Sequence, residues 1–389
     1  MSRRSSTIGI GLVGAGFVAP HHIDAVRRLG GIDVVGIAGS SLEKAQRKAD
    51  EWGVPRAYGS YEELVADPDI HVVHNVTPNH LHFPVNMAVI EAGKHIISDK
   101  PLAISVEECR QLAAASEKAG VVAAVTFNHR GYALVQQMRG MIAKGEIGDL
   151  AYVHGHYLQD WMTSDRVFSW RMDPALGGPS SALADIGSHW CDLAQHVAGS
   201  EITEVFADLS TIVKTRYATG ESMEAFAATS SDAELKPIPM QQEDLATVLL
   251  RFADGTRGVL TAGQVLPGHK NDLRIEINGR SSSLAWESEN ANNLWIGHHE
   301  RANEVMPKDP ALLQPDARPY AHLPGGHHEA WPDAFRNVLA DIYALIRSGE
   351  TTPPAHSTVS TFRSATQVAG VIEAMLTSHS TGAWQKVQA

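Results

Sequence analysis

The stretch that decides the fold is residues 8–19, IGIGLVGAGFVA, near the start of a 389-residue chain. An apolar run ends in glycines, and the turn that follows has the form Gly-x-Gly-x-x-Ala, a variant of the dinucleotide fingerprint. Gly14 permits a tight turn, Gly16 lets backbone N–H groups approach a diphosphate, and Ala19 is small enough for close helix–strand packing. The stretch therefore predicts a strand, a phosphate-binding turn and a helix.

Strand and helix signals alternate through residues 1–127, which predicts a doubly wound parallel sheet covered on both faces, a Rossmann dinucleotide-binding domain. The predicted strands are 7–13, 33–38, 70–76, 95–98 and 121–127. The predicted helices are 22–29, 42–52, 84–92 and 106–119.

The pattern changes at residue 128, and period-two strands then predict a large, mainly antiparallel open sheet in an α+β domain spanning 128–389. The predicted strands are 151–158, 204–213, 246–252, 258–264, 274–277 and 283–287, and the predicted helices are 132–143, 182–197, 329–346 and 359–378. Helix 359–378 is the element of this domain that we expect to pack back on the first. Residues 215–244 and 301–326 are polar or proline-rich and are expected to form loops.

Composition excludes several classes of protein. Hydrophobic residues make up 43% and charged residues 20%, which is typical of a globular chain, and the net charge of −12 is opposite to that of a nucleic-acid binder. Two cysteines, Cys109 and Cys191, cannot build a disulfide framework, so a reducing cytoplasm is the expected location. Residues 2–4, Ser-Arg-Arg, resemble the start of a twin-arginine export signal. We reject that reading because the following apolar stretch is rich in glycine and forms the nucleotide turn.

The end of the second predicted strand bears on cofactor choice. An NAD-specific site usually carries Asp or Glu here, but this chain has Gly39, Ser40 and Ser41, with Lys44 close by. Two hydroxyl groups and an ammonium group suit a 2′-phosphate, which favours NADP and leaves NAD open. Alternatively the serines cap the next helix, and both roles can coexist.

Two further stretches carry candidate acid–base groups. Lys100 follows a strand at the carboxyl edge of the sheet, where it can meet a nicotinamide and a substrate hydroxyl; a solvated surface lysine is the alternative. Asp185, His189 and Asp192 share one face of a predicted helix. An Asp one turn before a His can orient the ring as a general base requires, whereas a helix cap with a buried histidine is the structural alternative.

In combination these motifs resemble the glucose–fructose oxidoreductase/inositol dehydrogenase/rhizopine-catabolism (Gfo/Idh/MocA) family over nearly the whole chain. The matching pieces are Gly14-x-Gly16, Thr77-Pro78-Asn79-His80-Leu81-His82, Lys100-Pro101 and Asp185-x-Gly187-x-His189-x-x-Asp192. The resemblance implies that Lys100, Asp185 and His189 are the catalytic trio. The chain departs from the family at Asp99, where Glu is usual, and at Gly39, where many NAD-using members have Asp.

The resemblance also implies the residues around each ligand. The cofactor residues would be Gly14, Gly16, Phe17, Val18, Gly39, Ser40, Ser41, Lys44, Thr77, Asn79, His82, Asp99, Lys100, Asn128, Trp170 and Arg171. The substrate residues would be Lys100, Arg130, Tyr157, Gln159, Asp160, Trp161, Arg171, Asp185, His189 and His328.

Within the family, the stretches 157–161 and 169–171 resemble sugar and glycoside 3-dehydrogenases of the levoglucosan dehydrogenase type. Trp161 and Trp170 offer flat faces for the C–H side of a pyranose, and neighbouring polar groups offer directional bonds to hydroxyls. Core or interface packing is the alternative for both tryptophans. Arg130 and Arg171 suit either an acidic substituent on the substrate or acidic neighbours within the protein.

These observations predict an NAD(P)-dependent oxidoreductase that transfers a hydride between a secondary hydroxyl of a sugar, glycoside or polyol, at ring C3, and nicotinamide. An NAD-dependent glycosidase that uses transient C3 oxidation, and a non-catalytic regulator that binds dinucleotide and sugar, are the alternatives. The histidine pairs fit no metal motif, so no metal is predicted. The family implies a homodimer or homotetramer, with a small-molecule substrate and no nucleic acid or membrane as partner.

Overall fold

The computed structural model describes residues 7–218 and 235–389. Clustering of contacts divides the chain into two compact units, of which the first runs up to Phe127 and includes Phe335–Thr366. The second comprises Asn128–Ala334 and Gln367–Ala389. The Ser-Arg-Arg segment at 2–4 and the central part of the predicted 215–244 loop lie outside the described residues.

Strands and helices are numbered in chain order. The strands are β1 (Ile8–Val13), β2 (Ile32–Ala38), β3 (Arg56–Tyr58), β4 (Val72–Asn75), β5 (His95–Ser98), β6 (Ala123–Val125), β7 (Leu150–Leu158), β8 (Ile202–Ser210), β9 (Thr215–Ala218), β10 (Lys236–Pro239), β11 (Leu245–Phe252), β12 (Arg257–Gly263), β13 (Asp272–Gly279), β14 (Ser282–Glu287), β15 (Asn293–His298), β16 (Glu304–Pro307), β17 (Ser360–Thr361) and β18 (Gln385–Lys386). The helices are α1 (Ala19–Leu29), α2 (Leu42–Trp52), α3 (Tyr61–Ala66), α4 (His82–Glu91), α5 (Val106–Ala119), α6 (Ala133–Ala143), α7 (Pro174–Gly177), α8 (Ser188–Ala198), α9 (Trp331–Ser348) and α10 (Phe362–Thr381), with a π-helical turn at Leu183–Gly187.

The first unit is built on a seven-stranded sheet with the order β17-β6-β5-β4-β1-β2-β3. Strands β1 to β6 are parallel, and β17 joins β6 in the antiparallel direction. Strand β1 is buried along nearly its whole length, as expected for a parallel strand whose two faces are both covered. The predicted Rossmann-type sheet is confirmed.

The composition of the first unit differs from the predicted domain division, which placed all of 128–389 in the second domain. Residues 335–366 belong to the first unit. Helix α9 is held there by a ring contact of Phe335 with His22 on α1 and by a bond of Tyr343 to His74 on β4, and β17 extends the parallel sheet. These contacts join residues more than 200 positions apart, and local sequence patterns carry no information about such pairings. Helix α10 lies partly in each unit, since the division falls after Thr366.

A chain of three buried side chains makes the link to α9. His22 Nδ1 on α1 lies 2.7 Å from His74 Nδ1 on β4. His74 Nε2 lies 2.6 Å from the hydroxyl oxygen of Tyr343 on α9. Burial lowers the pKa of His22 to about 3 and holds that of His74 well below its usual value. Both rings are therefore neutral near pH 7.

The second unit contains a nine-stranded sheet with the order β16-β15-β14-β13-β7-β12-β11-β8-β18. Its pairs are antiparallel except for β7 with β12. Alternate residues of β11 and β13 are buried, so one face of the sheet is covered. Helix α8 packs on β7 and β13, where the Trp190 Nε1–H donates to the Arg274 carbonyl at 2.9 Å. The predicted mainly antiparallel sheet is confirmed.

Two predicted loops contain short strands. Strands β9 and β10 pair with each other inside the predicted 215–244 loop, and β16 lies inside the predicted 301–326 loop. Prolines at 237, 239 and 307 obscure these strands, because proline is read as a strand breaker although it is tolerated at sheet edges. Helix α9 begins at Trp331, two residues later than predicted.

The lengths of the helices and the state of the two cysteines bear on the class of protein. No helix in the described ranges is long and apolar enough to cross a membrane. Cys109 and Cys191 are free thiols, both fully buried. Burial raises the pKa of each thiol, to about 12 for Cys109.

The neutral histidines of the first unit predict acid sensitivity. The unfolded chain binds protons on these rings below about pH 6.5, whereas His22 in the folded state does not until the pH approaches 3. Unfolding free energy should therefore fall as the pH drops through this window. His22→Asn, which cannot titrate, should make that fall shallower in urea denaturation at a series of pH values. His356→Asn at an exposed site is the control, and equal slopes in wild type and His22→Asn would contradict the assignment.

Candidate active site

The turn after β1 requires glycine at one position and leaves open space at another. Gly14 has φ +107°, and a Cβ there would lie 2.6 Å from the Val76 carbonyl oxygen. Its N–H donates to the Ala38 carbonyl at 2.9 Å, so the turn is tied to β2. A Cβ added at Gly16, in contrast, would meet no atom within 4 Å. The turn is thus packed against the sheet at Gly14, whereas the space next to Gly16 is free of protein atoms.

The start of α1 is suited to an anion. The helix begins at Ala19 with no side chain capping its first N–H groups, and Pro20 stands where no N–H is needed. Ala19 is fully buried, whereas Gly16 and Phe17 are exposed. The Ala19 and His21 N–H groups already donate to the Gly16 and Val18 carbonyls, so the exposed glycine turn is the part of this terminus that fits the diphosphate of a dinucleotide.

The residues after β2 have mixed roles. The Ser41 hydroxyl accepts a hydrogen bond from the Lys44 N–H at 3.3 Å and caps α2, which is the capping alternative. Ser40 and Lys44 are exposed. A Cβ at Gly39 would approach the Ala45 backbone nitrogen to 3.2 Å, so close packing of α2 accounts for the glycine as well.

The backbone around Lys100 is held from two sides at the carboxyl end of β5. Asp99 Oδ1 accepts hydrogen bonds from the Lys100 N–H at 2.9 Å and from the Thr126 hydroxyl at 3.1 Å. The Asp99 N–H donates to the Asn75 carbonyl at 2.8 Å, which ties this loop to β4. Aspartate in place of the family's glutamate therefore anchors the segment in this chain.

His82 connects the Thr77 loop to the Lys100 segment. Its Nε2 lies 2.8 Å from the Thr77 carbonyl oxygen and its Nδ1 lies 2.6 Å from the Pro101 carbonyl oxygen. The Thr77 hydroxyl donates to Asn75 Oδ1 at 2.7 Å. Burial lowers the pKa of His82, against the opposing effects of the Asp99 carboxylate and the two carbonyls. The first unit thus brings together the predicted residues Thr77, Asn79, His82, Asp99 and Lys100 around the ends of β4 and β5.

In the second unit, Asp185 lies in the π-helical turn and His189 in the first turn of α8. Single π turns inside helices often mark functional sites. The start of this segment is capped by Glu243, a residue 60 positions away in sequence. Its Oε1 accepts from the Ser180 hydroxyl at 2.7 Å, the Ser181 N–H at 3.0 Å and the Leu183 N–H at 2.9 Å. Glu243 therefore sets where the segment begins.

Asp185 and His189 each contact groups from other elements. Asp185 Oδ2 accepts from the Gln264 amide at 2.7 Å, and Asp185 Oδ1 lies 3.5 Å from Arg171 Nε. His189 Nδ1 lies 3.4 Å from His129 Nδ1, and its ring meets the edge of Tyr157 with centroids 6.1 Å apart. A carboxylate with donors at both oxygens lies one turn before a buried imidazole, an arrangement suited to acid–base chemistry.

Asp192, which was predicted to share a helix face with Asp185 and His189, forms an ion pair with Arg130. Arg130 Nε and Nη2 donate to the two carboxylate oxygens at 2.7 and 2.5 Å, and both side chains are buried. This is the acidic-neighbour alternative for Arg130, which was predicted to contact substrate. Breaking a buried ion pair leaves an uncompensated charge, so the pair is a structural requirement.

The stretch predicted to meet the sugar divides into inner and outer residues. Tyr157 and Gln159 are buried, and both donate to Asn271 Oδ1, at 2.6 and 3.1 Å. Asp160 pairs with the exposed Lys270 at 2.6 Å, which lowers the pKa of this carboxyl. Trp161 packs against the apolar cluster of Met162, Met172 and Val265. Core packing is thus the observed environment of Trp161.

Trp170, Arg171 and His328 complete the predicted residues. The Arg171 guanidinium stacks over the Trp170 ring at 4.5 Å, and the pair lies beside Asp185. His328, which was predicted to contact substrate, is exposed. Asn128 is buried, and its Nδ2 has no hydrogen-bond partner within the part of the chain that the structure describes. A buried amide donor of this kind fits a ligand acceptor such as a nicotinamide carboxamide.

Sequence reasoning missed four residues that the structure places beside the predicted ones: His129, Glu243, Gln264 and Asn271. His129 was visible as a neighbour of Asn128. The other three lie in loops or at strand ends far along the chain, and no local motif marks them. Within the described ranges, no group of three or more His, Cys, Asp or Glu residues is arranged to hold a metal ion.

Comparisons with known proteins agree with this architecture. Residues 8–127 match the model of an oxidoreductase family with an NAD-binding Rossmann fold, and residues 135–285 match the Gfo/Idh/MocA C-terminal domain. Levoglucosan dehydrogenase from Pseudarthrobacter phenanthrenivorans is 32% identical over 305 residues, covering 74% of this chain and 76% of that protein. The chain belongs to the Gfo/Idh/MocA family. The first unit of this Gfo/Idh/MocA oxidoreductase is accordingly an NAD(P)-binding domain.

Solved structures extend the likeness over nearly the whole chain. Levoglucosan dehydrogenase in complex with NADH and L-sorbose superposes with a TM-score of 0.88 at 28% identity, covering 98% of this chain and 99% of that one. An oxidoreductase domain protein from Kribbella flavida gives a TM-score of 0.87 at 29% identity, covering 99% and 100%. A 1,5-anhydro-D-fructose reductase from Ensifer adhaerens is 35% identical over 202 residues, 51% of this Gfo/Idh/MocA chain and 58% of that protein.

The buried carboxyl of Glu243 predicts a pH-dependent effect of Glu243→Gln. Burial raises the pKa of Glu243 above its usual 4.5, so the folded state loses stability as the pH rises through the raised value. Glutamine does not ionise, and it can keep all three bonds because every donor addresses Oε1. The melting temperature of the variant relative to wild type should therefore increase with pH above 4.5.

Glu243→Ala is the matched control. It removes the acceptor and should destabilise the protein by ~1–3 kcal/mol throughout the pH range, since three buried donors lose their partner. A constant difference in melting temperature between Glu243→Gln and wild type at all pH values would contradict the buried charge.

The glycine turn predicts a separation of folding from cofactor binding. Gly16→Ala should leave the melting temperature unchanged, because the new methyl meets no protein atom within 4 Å. It should raise the Kd for NADH or NADPH by about tenfold or more, measured by fluorescence titration, because the methyl occupies the approach of the diphosphate. Gly14→Ala should instead lower the melting temperature, owing to its positive φ and a carbonyl 2.6 Å away. A Gly16→Ala variant with normal affinity would exclude Gly16 from the cofactor site.

Proposed function

We propose that this protein is an NAD(P)-dependent dehydrogenase that oxidises a secondary hydroxyl of a sugar or glycoside at ring C3. The observation that carries the proposal is the Asp185–His189 segment, where a carboxylate held by donors precedes a buried imidazole. Tyr157 and Gln159 beside it offer groups that can bond to hydroxyls. The likeness to levoglucosan dehydrogenase, a sugar enzyme, supports the substrate class.

The mechanism assigns one task to each residue. His189 accepts the hydroxyl proton of the substrate, and Asp185 compensates the positive charge that the imidazole gains. The Lys100 ammonium stabilises the negative charge that develops on the substrate oxygen. A bound nicotinamide would accept the hydride from the same carbon. In the reverse direction His189 returns the proton.

Cofactor preference is a separate part of the proposal. Exposed Ser40 and Lys44, with Gly39 in place of an acid, support binding of the 2′-phosphate of NADP. The solved complexes of levoglucosan dehydrogenase contain NADH, which supports NAD. We propose NADP as the preferred cofactor, and the ratio of kcat/KM values for the two cofactors tests this directly.

The function is tested with levoglucosan, related anhydrosugars and a panel of glycosides, each with NAD⁺ and NADP⁺, while the absorbance of reduced nicotinamide is followed. Net reduction of the cofactor is expected, with a 3-keto sugar identified by NMR. Consumption of a glycoside without net reduction would instead indicate redox-assisted glycoside cleavage. Tight dinucleotide binding without turnover across the panel would indicate a regulator.

The acid–base residues are tested by substitution. Lys100→Met and His189→Asn should each lower kcat by ~10²–10⁴ while leaving the melting temperature close to that of wild type. The exposed residues Lys118 and His356, changed to methionine and asparagine, are matched controls that should retain full activity. Near-normal turnover by His189→Asn would remove the histidine from the mechanism.

A further inference from the structure

Gln264 is a fully buried residue directly after β12, and its side chain contacts Asp185. Its backbone is fixed on both sides, since its N–H donates to the Asp244 carbonyl at 3.0 Å and its carbonyl accepts from the Met162 N–H at 3.1 Å. Its side-chain Nε2 donates to Asp185 Oδ2 at 2.7 Å and to Gln159 Oε1 at 3.2 Å. Gln264 therefore presents its amide from a rigid position.

The orientation of the Gln159, Asn271 and Gln264 side-chain amides follows from a neighbouring group that can only donate a hydrogen bond. The Trp161 indole nitrogen can only donate, and it lies 2.9 Å from Gln159 Oε1, so that atom must be the oxygen. The Gln159 nitrogen then donates to Asn271 Oδ1. Because Gln264 also faces Gln159 Oε1, it must present its nitrogen there. The chain of contacts thus assigns each amide independently of Asp185.

This orientation constrains Asp185. Both N–H bonds of the Gln264 amide are engaged, one by Gln159 and one by Asp185. An N–H that points at Asp185 Oδ2 makes that oxygen an acceptor, and an ionised carboxylate accepts more strongly than a neutral carboxyl group. Arg171 Nε, 3.5 Å from Oδ1, adds a positive charge on the other side. Both contacts favour the ionised form of the Asp185 carboxyl group.

The amide also leaves an acceptor unsatisfied. Gln264 Oε1 is buried and has no hydrogen-bond partner among the described residues. An unpaired buried acceptor lowers stability, and an apolar side chain of the same length would avoid it. The unpaired oxygen of the amide thus lowers stability. The N–H bonds to Asp185 and Gln159 explain why an amide occupies this position nevertheless.

We propose that Gln264 is a positioning residue that keeps Asp185 ionised and oriented for the acid–base step. The inference rests on the proposed function, in which Asp185 compensates the charge on His189. Gln264 itself need not touch the substrate. The Arg171 guanidinium and the Tyr157 hydroxyl both face Asp185, and His189 follows it by four residues along the helical segment.

The test compares Gln264→Met with wild type. Methionine keeps the length and burial of the side chain but removes both N–H bonds. We expect kcat to fall about tenfold or more, with unchanged KM for the cofactor. The acid limb of the pH profile of kcat/KM should move to higher pH, because a carboxylate that loses a donor is protonated more easily. Gln264→Glu, of equal size, should move the limb further in the same direction, and it provides a second measurement if the methionine variant does not fold.

Gln137→Met is the matched control. Gln137 is also a buried glutamine, and its Oε1 accepts from the Gln314 N–H at 2.8 Å. Its substitution should lower the melting temperature but leave the pH profile in place. If Gln264→Met lowers kcat without moving the acid limb, Gln264 is a packing residue and the inference fails while the proposed function stands.

An infrared measurement separates this inference from the proposed function. The difference spectrum between wild type and Asp185→Asn identifies the carboxyl band of Asp185, and its titration needs no substrate. We expect the band of the protonated Asp185 carboxyl group to appear at higher pH in Gln264→Met than in wild type. Identical titrations would overturn the inference even if no sugar is oxidised. A shifted titration without any turnover would support the inference and overturn the function.

Discussion

The Glu243 carboxylate under the start of the Leu183–Gly187 turn is the contact on which the second half of the candidate site depends. Three donors converge on one of its oxygens, so the beginning of the segment is fixed in position along the chain as well as in space. Asp185 and His189 follow at set distances from that point, and Gln264, directly after β12, donates to Asp185. A different cap would turn this short helix relative to the sheet and carry both candidate acid–base groups with it.

The two units position their functional groups by different means. In the first unit the functional groups are positioned mainly by the backbone. The parallel strands end at one edge of the sheet, and Gly14 lets the turn after β1 approach Val76 closely. The Lys100 segment is tied to that edge by Asp99 and His82. In the second unit, buried side chains position one another, and each amide of the Gln159–Asn271 network is oriented by its neighbours. The first arrangement tolerates many side chains, whereas the second depends on the chemistry of each one.

This difference explains how much could be predicted from sequence. The parallel sheet, the glycine turn and the antiparallel sheet arise from local periodicity and short motifs, and the structure confirms them. The pairing of Asp192 with Arg130, the cap by Glu243 and the amides of Gln264 and Asn271 join residues 60 to 112 positions apart. No pattern within a single segment reveals such partners. The same limit applied to residues 335–366, whose grouping with the first unit follows from tertiary contacts of His22 and His74.

The two buried thiols have a practical consequence. Cys109 and Cys191 are shielded from solvent, and burial disfavours the thiolate form that reacts with alkylating reagents. Cysteines introduced on the surface would therefore be modified selectively in the folded protein, without prior removal of the native pair. Fluorophores or spin labels placed in this way, one on each unit, would report the distance between the units in solution.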